Sequence, residues 1–574
     1  MSTLDLHDIQ GNVHRPYGRY GFPYARYFLF HVNRDRADPR RCDSVIARWL
    51  VDQIRPAVTT AEPWRNGDTP AGAPVRDKPA VTLNIGFTWG GLNTLELPVS
   101  TLRLMPDEFI EGMAGRNTIL GDLEASAPEN WDTVWRDANL KDDKAIHIWV
   151  SLNAQAEPST GRPVPELEVW TRWLVGLTEH PFARGRIALL RGHGRRPDGR
   201  APEEDRWQES GTIMATGPGG VLVPTPREPF GFTDGISDPI FTGQDILDDD
   251  PAAAVGSGKI RSGRFEAATS WQPLSAGEFL LGQASEGQEL PVASVPGNFM
   301  RNGTFMALRK LHQNTASFDR ALAQHAEAFG RTAGIADPAE ARETLMAKMV
   351  GRWPSGVPLI VAPTKAAEQA FLAPYLPVLR KVDARIKLDD AEKVWYAEFD
   401  RRLRDYRYTE DPDGVKCPLG SHVRRVNPRD MLDPDHKPGE ASTQLTNRRR
   451  ILRRGLPYGD ASPDGLADDK AEHGVFIMAL CTSLFRQFEF IQQQWLHYGL
   501  DLDSGNDACS ITGRRDPDNP LANKFVVQSD PKTGRPPYIA ANLPLFVETH
   551  GGEYFFIPSI TALRMMAMGS VDPT

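Results

Sequence analysis

Cysteine is scarce in this chain. Cys42, Cys417, Cys481 and Cys509 are spread over 574 residues, and none stands in CxxC spacing. That pattern argues against a zinc ribbon, an iron–sulfur cluster or a disulfide scaffold. Positive charge is in deficit: 66 Lys and Arg face 75 Asp and Glu, for a net charge of −9. Such a surface offers no reason to expect nucleic acid or anionic lipid as a partner. Long hydrophobic runs are missing too, and nothing approaches the roughly 20 apolar residues of a membrane-spanning helix. The first residues, MSTLDLHDIQGN, carry no basic n-region, apolar h-region or twin arginine. No export signal is read there, so the expected location is the cytoplasm; a mature form with its leader removed would look the same.

What is present is enough for an extensive core. Hydrophobic residues make up 40% of the chain. A length of 574 residues exceeds one ordinary core, so two large domains or a duplicated architecture is expected. Ala25–Val32 (ARYFLFHV) reads as an early strand. Cys42–Ile54 follows with helical spacing through Val45, Ile46, Trp49, Leu50 and Ile54. Ala80–Leu92 reads as a strand running into a glycine-marked loop, and Ala145–Ala154 alternates like another strand. That order suggests an α+β unit with helices on one face of an antiparallel sheet. Gly211–Phe230, rich in Gly and Pro, looks like the crossing between two halves. Beyond it, Gly277–Gly282 reads as a short buried strand, and Gly303–Gln313 as a strand entering a helix. Residues 337–411 are charged and helix-prone, interrupted by VGRWPSGVPL. His473–Gly499 spaces Ile477, Leu480, Leu484, Phe488, Ile491 and Trp495 by threes and fours, with Gly499 as C-cap. Its first residues could equally be a strand feeding the helix.

Three stretches carry candidate chemistry. In GFTDGISDPIF (Gly231–Phe241), Asp234 is bracketed by Gly231 and Gly235. Glycine permits positive φ and removes Cβ bulk, so the carboxylate can project into a confined site. The alternative is a turn aspartate bonded to its own backbone. A metal loop is a third reading, although the alternating oxygen ligands of an EF-hand are missing. In CPLGSHVRRVNPRD (Cys417–Asp430), His422 follows a small-residue turn and precedes Arg424, Arg425 and Arg429. An imidazole beside several guanidiniums suits haem iron and its propionates; the alternative is a basic surface strand with an incidental histidine. In NRRRILRRGLPYG (Asn447–Gly459), arginines surround Ile451 and Leu452. Either the segment is solvated, or one arginine points into a pocket and stabilises negative charge on a bound oxygen species.

GFTDG resembles the GxxDG motif of the dye-decolourising peroxidases. HVRRVNPR (His422–Arg429) resembles the segment with that family's proximal haem histidine, and RILRRGLPYG (Arg450–Gly459) the segment with its distal arginine. DIQGNV, NIGFTWGGL, GEFLLG, NGTFMALRKL and GRWPSGVPL look like further blocks of the family, so the resemblance covers most of the chain. It implies an α+β fold of two ferredoxin-like halves, with antiparallel sheets and peripheral helices, of the dimeric α+β barrel type. The halves are expected at 1–220 and 221–574, the second holding the haem and carrying an elaboration around 337–411. The implied cofactor is one non-covalent haem b per chain, since no CxxCH is present for covalent attachment.

The resemblance also implies roles. Asp234 is the distal acid–base residue and Arg453, rather than Arg454, the distal arginine. Alternation agrees, because Ile451 and Arg453 share one strand face. His422 is the iron ligand, and its acidic hydrogen-bond partner is not identifiable from sequence. Arg429 is the choice for a propionate contact, and Val475 and Ile477 for the apolar wall of the distal pocket. One departure stands out: some members carry asparagine two places after the distal arginine, where this chain has Gly455.

The implied activity is oxidation of dyes, phenols and other aromatic reductants by hydrogen peroxide in one-electron steps. Asp234 would carry a proton between the two peroxide oxygens, and a carboxylate with a reference pKa of about 4 favours an acidic optimum. Large reductants would need a relay through one of the 13 Trp or 12 Tyr, none of which is singled out. The competing readings are a haem carrier or iron-handling protein, an apo scaffold, and cargo of a protein nanocompartment. Against the last, MGSVDPT (Met568–Thr574) does not resemble a docking peptide. Small molecules are the expected partners, and a homo-oligomer is left open.

Overall fold

The computed structural model describes residues 4–18, 21–38, 40–64, 77–194, 206–261, 271–384, 386–434, 437–459 and 468–571. The stretch 568–574, read above for a docking peptide, falls partly outside them. In the first half, β1 (Tyr24–Val32) is followed by the helix Ser44–Ile54, β2 (Val81–Phe87), β3 (Ile148–Ala154), the helix Glu166–Glu179 and β4 (Ile187–Leu189). Then come β5 (Gln208–Gly211) and a small hairpin of β6 (Met214–Thr216) with β7 (Leu222–Pro224). The second half starts with β8 (Thr304–Gln313) and the helix Thr315–Ala333. Four helices follow, Pro338–Val350, Lys365–Leu372, Leu376–Asp383 and Asp390–Arg404, and then β9 (Leu452–Arg454), β10 (Pro457–Gly459) and β11 (His473–Cys481). Two π-helical segments (Leu484–Glu489, Ile491–His497), the pair β12 (Phe525–Val527) and β13 (Tyr538–Ala540), β14 (Val547–Ile557) and the helix Ile560–Met568 complete it.

The main sheet is antiparallel and runs β10-β11-β8-β14-β2-β3-β1-β4. Taken as two quartets, β8, β10, β11, β14 and β1, β2, β3, β4 each show the order second, third, first, fourth. Each has a helical segment after its first and third strands. That is the ferredoxin-like arrangement, present twice. The quartets meet at β14 and β2, through the pair Phe556–Phe87. The barrel part of the expectation is not met. β4 and β5 share β1 as their partner, and no ladder among the described residues joins β5 to β10. Ser210 spans that gap instead, its hydroxyl donating to the carbonyls of Leu456 at 3.1 Å and Pro457 at 2.7 Å.

Both faces of the sheet are covered, so β2 and β3 are buried along their whole length. The alternation in β3 sorts its faces: Trp149, Ser151 and Asn153 line a cavity, while Val150 and Leu152 join the hydrophobic core. Asp43 caps the helix Ser44–Ile54, and Ile46, Ala47, Leu50, Val51 and Ile54 are its buried stripe; Val45, expected on that face, is exposed. A second core gathers Phe318, Trp353, Leu359, Phe399 and Trp495. The elaboration at 337–411 is thus packed into the second half.

Local expectations are corrected in three places. Gly277–Gly282 is buried, but it forms a 3-10 turn and bends rather than a strand. The strand at 304–313 ends before its helix starts at Thr315. Of the two readings of His473–Gly499, the strand feeding a helix is the one found: Ile477 and Leu480 lie in β11 and the helical part starts at Leu484. Gly499, with φ −110°, is not the left-handed C-cap. No described helix is long and apolar enough to cross a membrane.

Candidate active site

The GFTDGISD loop is fastened to β9 by two acid–base pairs in register. Arg453 donates from Nη1 and Nη2 to the two carboxylate oxygens of Asp234, a bidentate ion pair. Arg454 donates from Nη1 to Asp238 at 2.8 Å, and the Arg453 amide donates to the other Asp238 oxygen at 3.3 Å. Two aspartates four apart thus meet two adjacent arginines. Gly231 at φ 92° and Gly235 at φ 80° take the left-handed conformations that free the Asp234 side chain. The Gly235 amide also donates to Asp234 Oδ1 at 2.7 Å, so the turn contact weighed above is present alongside the ion pair. Glu228 braces the loop from inside, accepting from the amides of Phe230 and Phe232 at 3.0 Å each and from Gln313 Nε2 at 2.6 Å. Burial raises the Glu228 pKa and the nearby Asp234 charge adds to this, while those donors oppose it.

Arg453 stands opposite Ala479 in the ladder, on the β11 face that carries Val475 and Ile477. Burial by itself would lower its pKa, but the charge and hydrogen bonds of Asp234, together with the charges of Glu228 and Asp238, outweigh this and raise it above the ordinary guanidinium value. Arg454 is spent elsewhere: besides Asp238 it holds the carbonyls of Asn12 at 2.6 Å and Val13 at 3.1 Å, tying DIQGNV to the site.

These residues line a cavity of about 1560 Å³, together with His422, Arg429, Arg309, Leu376, Leu379, Tyr396 and Phe399. That is larger than the roughly 300–1,000 Å³ of most small-ligand sites. The helices of the 337–411 elaboration therefore form part of its wall. His422 begins the short helix His422–Val426. Its Nδ1 lies 3.3 Å from Cys509 Sγ and 3.4 Å from Thr512 Oγ1, and its Nε2 makes no hydrogen bond within the described chain. Among the described residues the hydrogen-bond partners of His422 include no carboxylate, and no three His, Cys, Asp or Glu side chains are placed to hold a metal ion. Burial would push the Cys509 thiol up, but His422, Arg425 and Thr512 more than reverse this and bring it down to about 6.

All six residues singled out in the sequence, Asp234, His422, Arg429, Arg453, Val475 and Ile477, line this cavity. Arg429 does so with most of its guanidinium occupied. Its Nη1 donates to the carbonyls of Arg404 at 2.7 Å and Tyr406 at 3.0 Å, Nη2 reaches Ser237 at 3.4 Å, and only Nε is unpartnered. Arg309 was not singled out. It sits on β8, pairs with Asp122 through Nη2, and leaves buried Nε and Nη1 without partners. An arginine inside the apolar run TFMALRKL was the available signal. Cys509 had no signal, because only folding brings it to His422. Gly455 has φ 113°, and a Cβ there would lie 2.1 Å from the Phe476 carbonyl oxygen. The close approach of β11 explains why no larger residue stands at that position.

No protein-family model matches the chain. Curated relatives do. Peroxidase 2 of Mycetinis scorodonius is 29% identical over 361 residues, covering 59% of this chain and 56% of the relative. A dye-decolorizing peroxidase of Mycena epipterygia is 27% identical over 373 residues, covering 59% and 57%. The alignments thus span little more than half the length of these relatives. Among solved structures, the DyP-type peroxidase of Auricularia auricula-judae superposes with a TM-score of 0.64 at 20% identity, over 100% of both chains. An ancestral D-type dye decolorizing peroxidase gives 0.66 at 21%, over 99% of this chain and 100% of its own. The fold is the α+β fold of the dye-decolourising peroxidases.

Proposed function

We propose that the chain is a haem peroxidase that uses hydrogen peroxide to oxidise dyes, phenols and related aromatic reductants. The observation that carries this reading is the Asp234–Arg453 pair, held in the cavity that His422 also lines with its Nε2 unengaged among the described residues. A simple haem carrier has no need of a carboxylate braced by glycines and a guanidinium. The curated relatives are named as peroxidases, and one structural neighbour was solved in complex with 2,6-dimethoxyphenol.

The residues present fit one non-covalent haem b. His422 offers a free imidazole nitrogen to iron. Arg309, through Nε and Nη1, and Arg429, through Nε, offer buried unpartnered donors suited to propionates. Val475 and Ile477 supply apolar wall. When bound, the haem supplies the redox chemistry. Asp234 takes a proton from one peroxide oxygen and returns it to the other, which leaves as water. Arg453 holds that carboxylate in place and stabilises negative charge on the departing oxygen. We further propose the division of the chain at 220/221, a cytoplasmic location, and no nucleic-acid or membrane partner.

The test is an absorption spectrum of the haem-loaded protein before and after one equivalent of peroxide, for the parent, Asp234→Asn and His422→Ala. A prompt shift of the Soret band in the parent, lost in Asp234→Asn with the haem content unchanged, is expected. A Soret band that peroxide leaves unmoved in the parent would favour the carrier reading and refute the roles given to Asp234 and Arg453.

A further inference from the structure

We propose that Cys509 is the positioning residue of His422: its sulfur takes the Nδ1 hydrogen bond that a carboxylate would otherwise take, and so fixes the ring and its donor strength. This rests on the assignment of His422 as the haem ligand. For Nε2 to offer a lone pair, a neutral imidazole must carry its proton on Nδ1. That N–H then needs an acceptor. Two atoms are in reach, Cys509 Sγ at 3.3 Å and Thr512 Oγ1 at 3.4 Å. The threonine hydroxyl in turn lies 3.5 Å from the same sulfur, to which it donates. The sulfur therefore collects both donors, and the fully buried Cys509 has no water to compete for it.

The spacing between the two side chains is built into the backbone. Ser421, just before the histidine, donates its hydroxyl to the Lys348 carbonyl at 2.6 Å. Ser510, just after the cysteine, donates to the Met349 carbonyl at 2.6 Å. Consecutive carbonyls at the end of one helix thus anchor both partners. The Cys509 amide donates to the Leu496 carbonyl at 2.7 Å, and Arg515 clamps the carbonyls of Cys509 at 3.2 Å and Ser510 at 2.7 Å. Arg425 donates to the Asp507 carbonyl at 2.5 Å, placing a second guanidinium beside this segment. Positive charge on this side favours electron density on sulfur. A ligand histidine commonly shows its other nitrogen to a carboxylate, a backbone carbonyl or water, and that partner tunes its basicity. Here a soft sulfur acceptor occupies the place.

The experiment compares the haem-loaded full chain with Cys509→Ala and Cys509→Asp. The readouts are the iron–imidazole stretching band of the reduced protein and the ferric/ferrous midpoint potential, with haem content and circular dichroism as folding controls. Cys509→Ala removes the acceptor, so the band should fall and the potential rise. Cys509→Asp supplies a stronger acceptor, so both should move the other way, with the parent between them. If the alanine variant takes up no haem, Cys509→Ser against Cys509→Asp tests the same ordering. Variants that load haem and keep the parent's band and potential overturn the proposal. If His422→Ala leaves the parent's spectrum unchanged, the ligand assignment itself fails and this proposal falls with it. A spectrum that depends on His422 but not on Cys509 refutes this proposal alone.

Discussion

Replacing Asp234 by asparagine keeps the shape of the side chain and removes its charge and basicity. The structural cost can be bounded. The ion pair with Arg453 leaves 41% of the arginine side chain and 29% of the aspartate side chain exposed. Pairs with that much solvent contact contribute about 0.2–1 kcal/mol, and the bidentate geometry points to the upper end. At about 2.1 cal/mol/K of unfolding entropy per residue, such a loss lowers the Tm of a chain of this size by no more than about 1 °C. The catalytic cost should be far larger. A positioned acid–base group contributes about 10²–10⁴ in rate, or about 3–5 kcal/mol. Arg453→Leu should cost about 10²–10³, as loss of one charge-stabilising donor does elsewhere. Because the two residues act as a unit, the double variant should be little slower than the worse single one. The assay is stopped-flow reaction of haem-loaded protein with peroxide, with thermal melting alongside. Asp234→Asn reacting within about three-fold of the parent, at normal haem content, would refute the acid–base role. A fall in Tm well beyond the bound above would mean that the pair is mainly a structural clasp.

Three other perturbations probe the frame around the pair. Gly455→Ala should destabilise the protein by more than about 2 kcal/mol, since its Cβ would meet the Phe476 carbonyl and its φ is 113°; an unchanged melting temperature would contradict this. Glu228→Ala should free the amides of Phe230 and Phe232 at a cost of about 1–3 kcal/mol each. It should also slow the peroxide reaction, because the loop carrying Asp234 loses its brace; a melting temperature and peroxide rate equal to the parent's would count against it. Burial holds His147 and His193 down to about 3, and His312 and His497 down to about 4. The unfolded chain takes up these protons near pH 6.5, before the folded protein does. Their contribution is therefore fully present above about pH 6.5 and is lost as pH falls towards 4 and 3, at about 1.4 kcal/mol per unit per group. Tm measured from pH 7.5 to 4 should be level at first and then drop; a flat profile would refute the assignment. Any acidic optimum should accordingly be cut off on its low side by unfolding.

Legibility in the sequence followed the range of the interactions. The strand at Ala25–Val32 and the helix near Ser44–Ile54 were visible because their patterns are local, and even Val45 was misplaced only by rotation about one helix. The stripe through His473–Gly499 left strand and helix both open at its start, because the two spacings coincide where Ile477 and Leu480 of β11 run on into Leu484. Gly277–Gly282 looked like a strand because it is buried, yet burial does not distinguish a strand from a compact turn. The open edge between β5 and β10 lies beyond any local pattern. The site divides in the same way. Asp234, His422 and Arg453 stood in recognisable motifs. Arg309 stood in an apolar strand, where its charge was a signal that went unused. Cys509 is 87 residues from His422 and is brought to it by two serines bonded to neighbouring carbonyls of a third segment. No pairwise pattern of residue types encodes that contact. The motifs can be read from the chain, but the partner that tunes the histidine depends on how separate segments are anchored to one another. That places the chain's most individual feature on the side of the cavity that its motifs describe least.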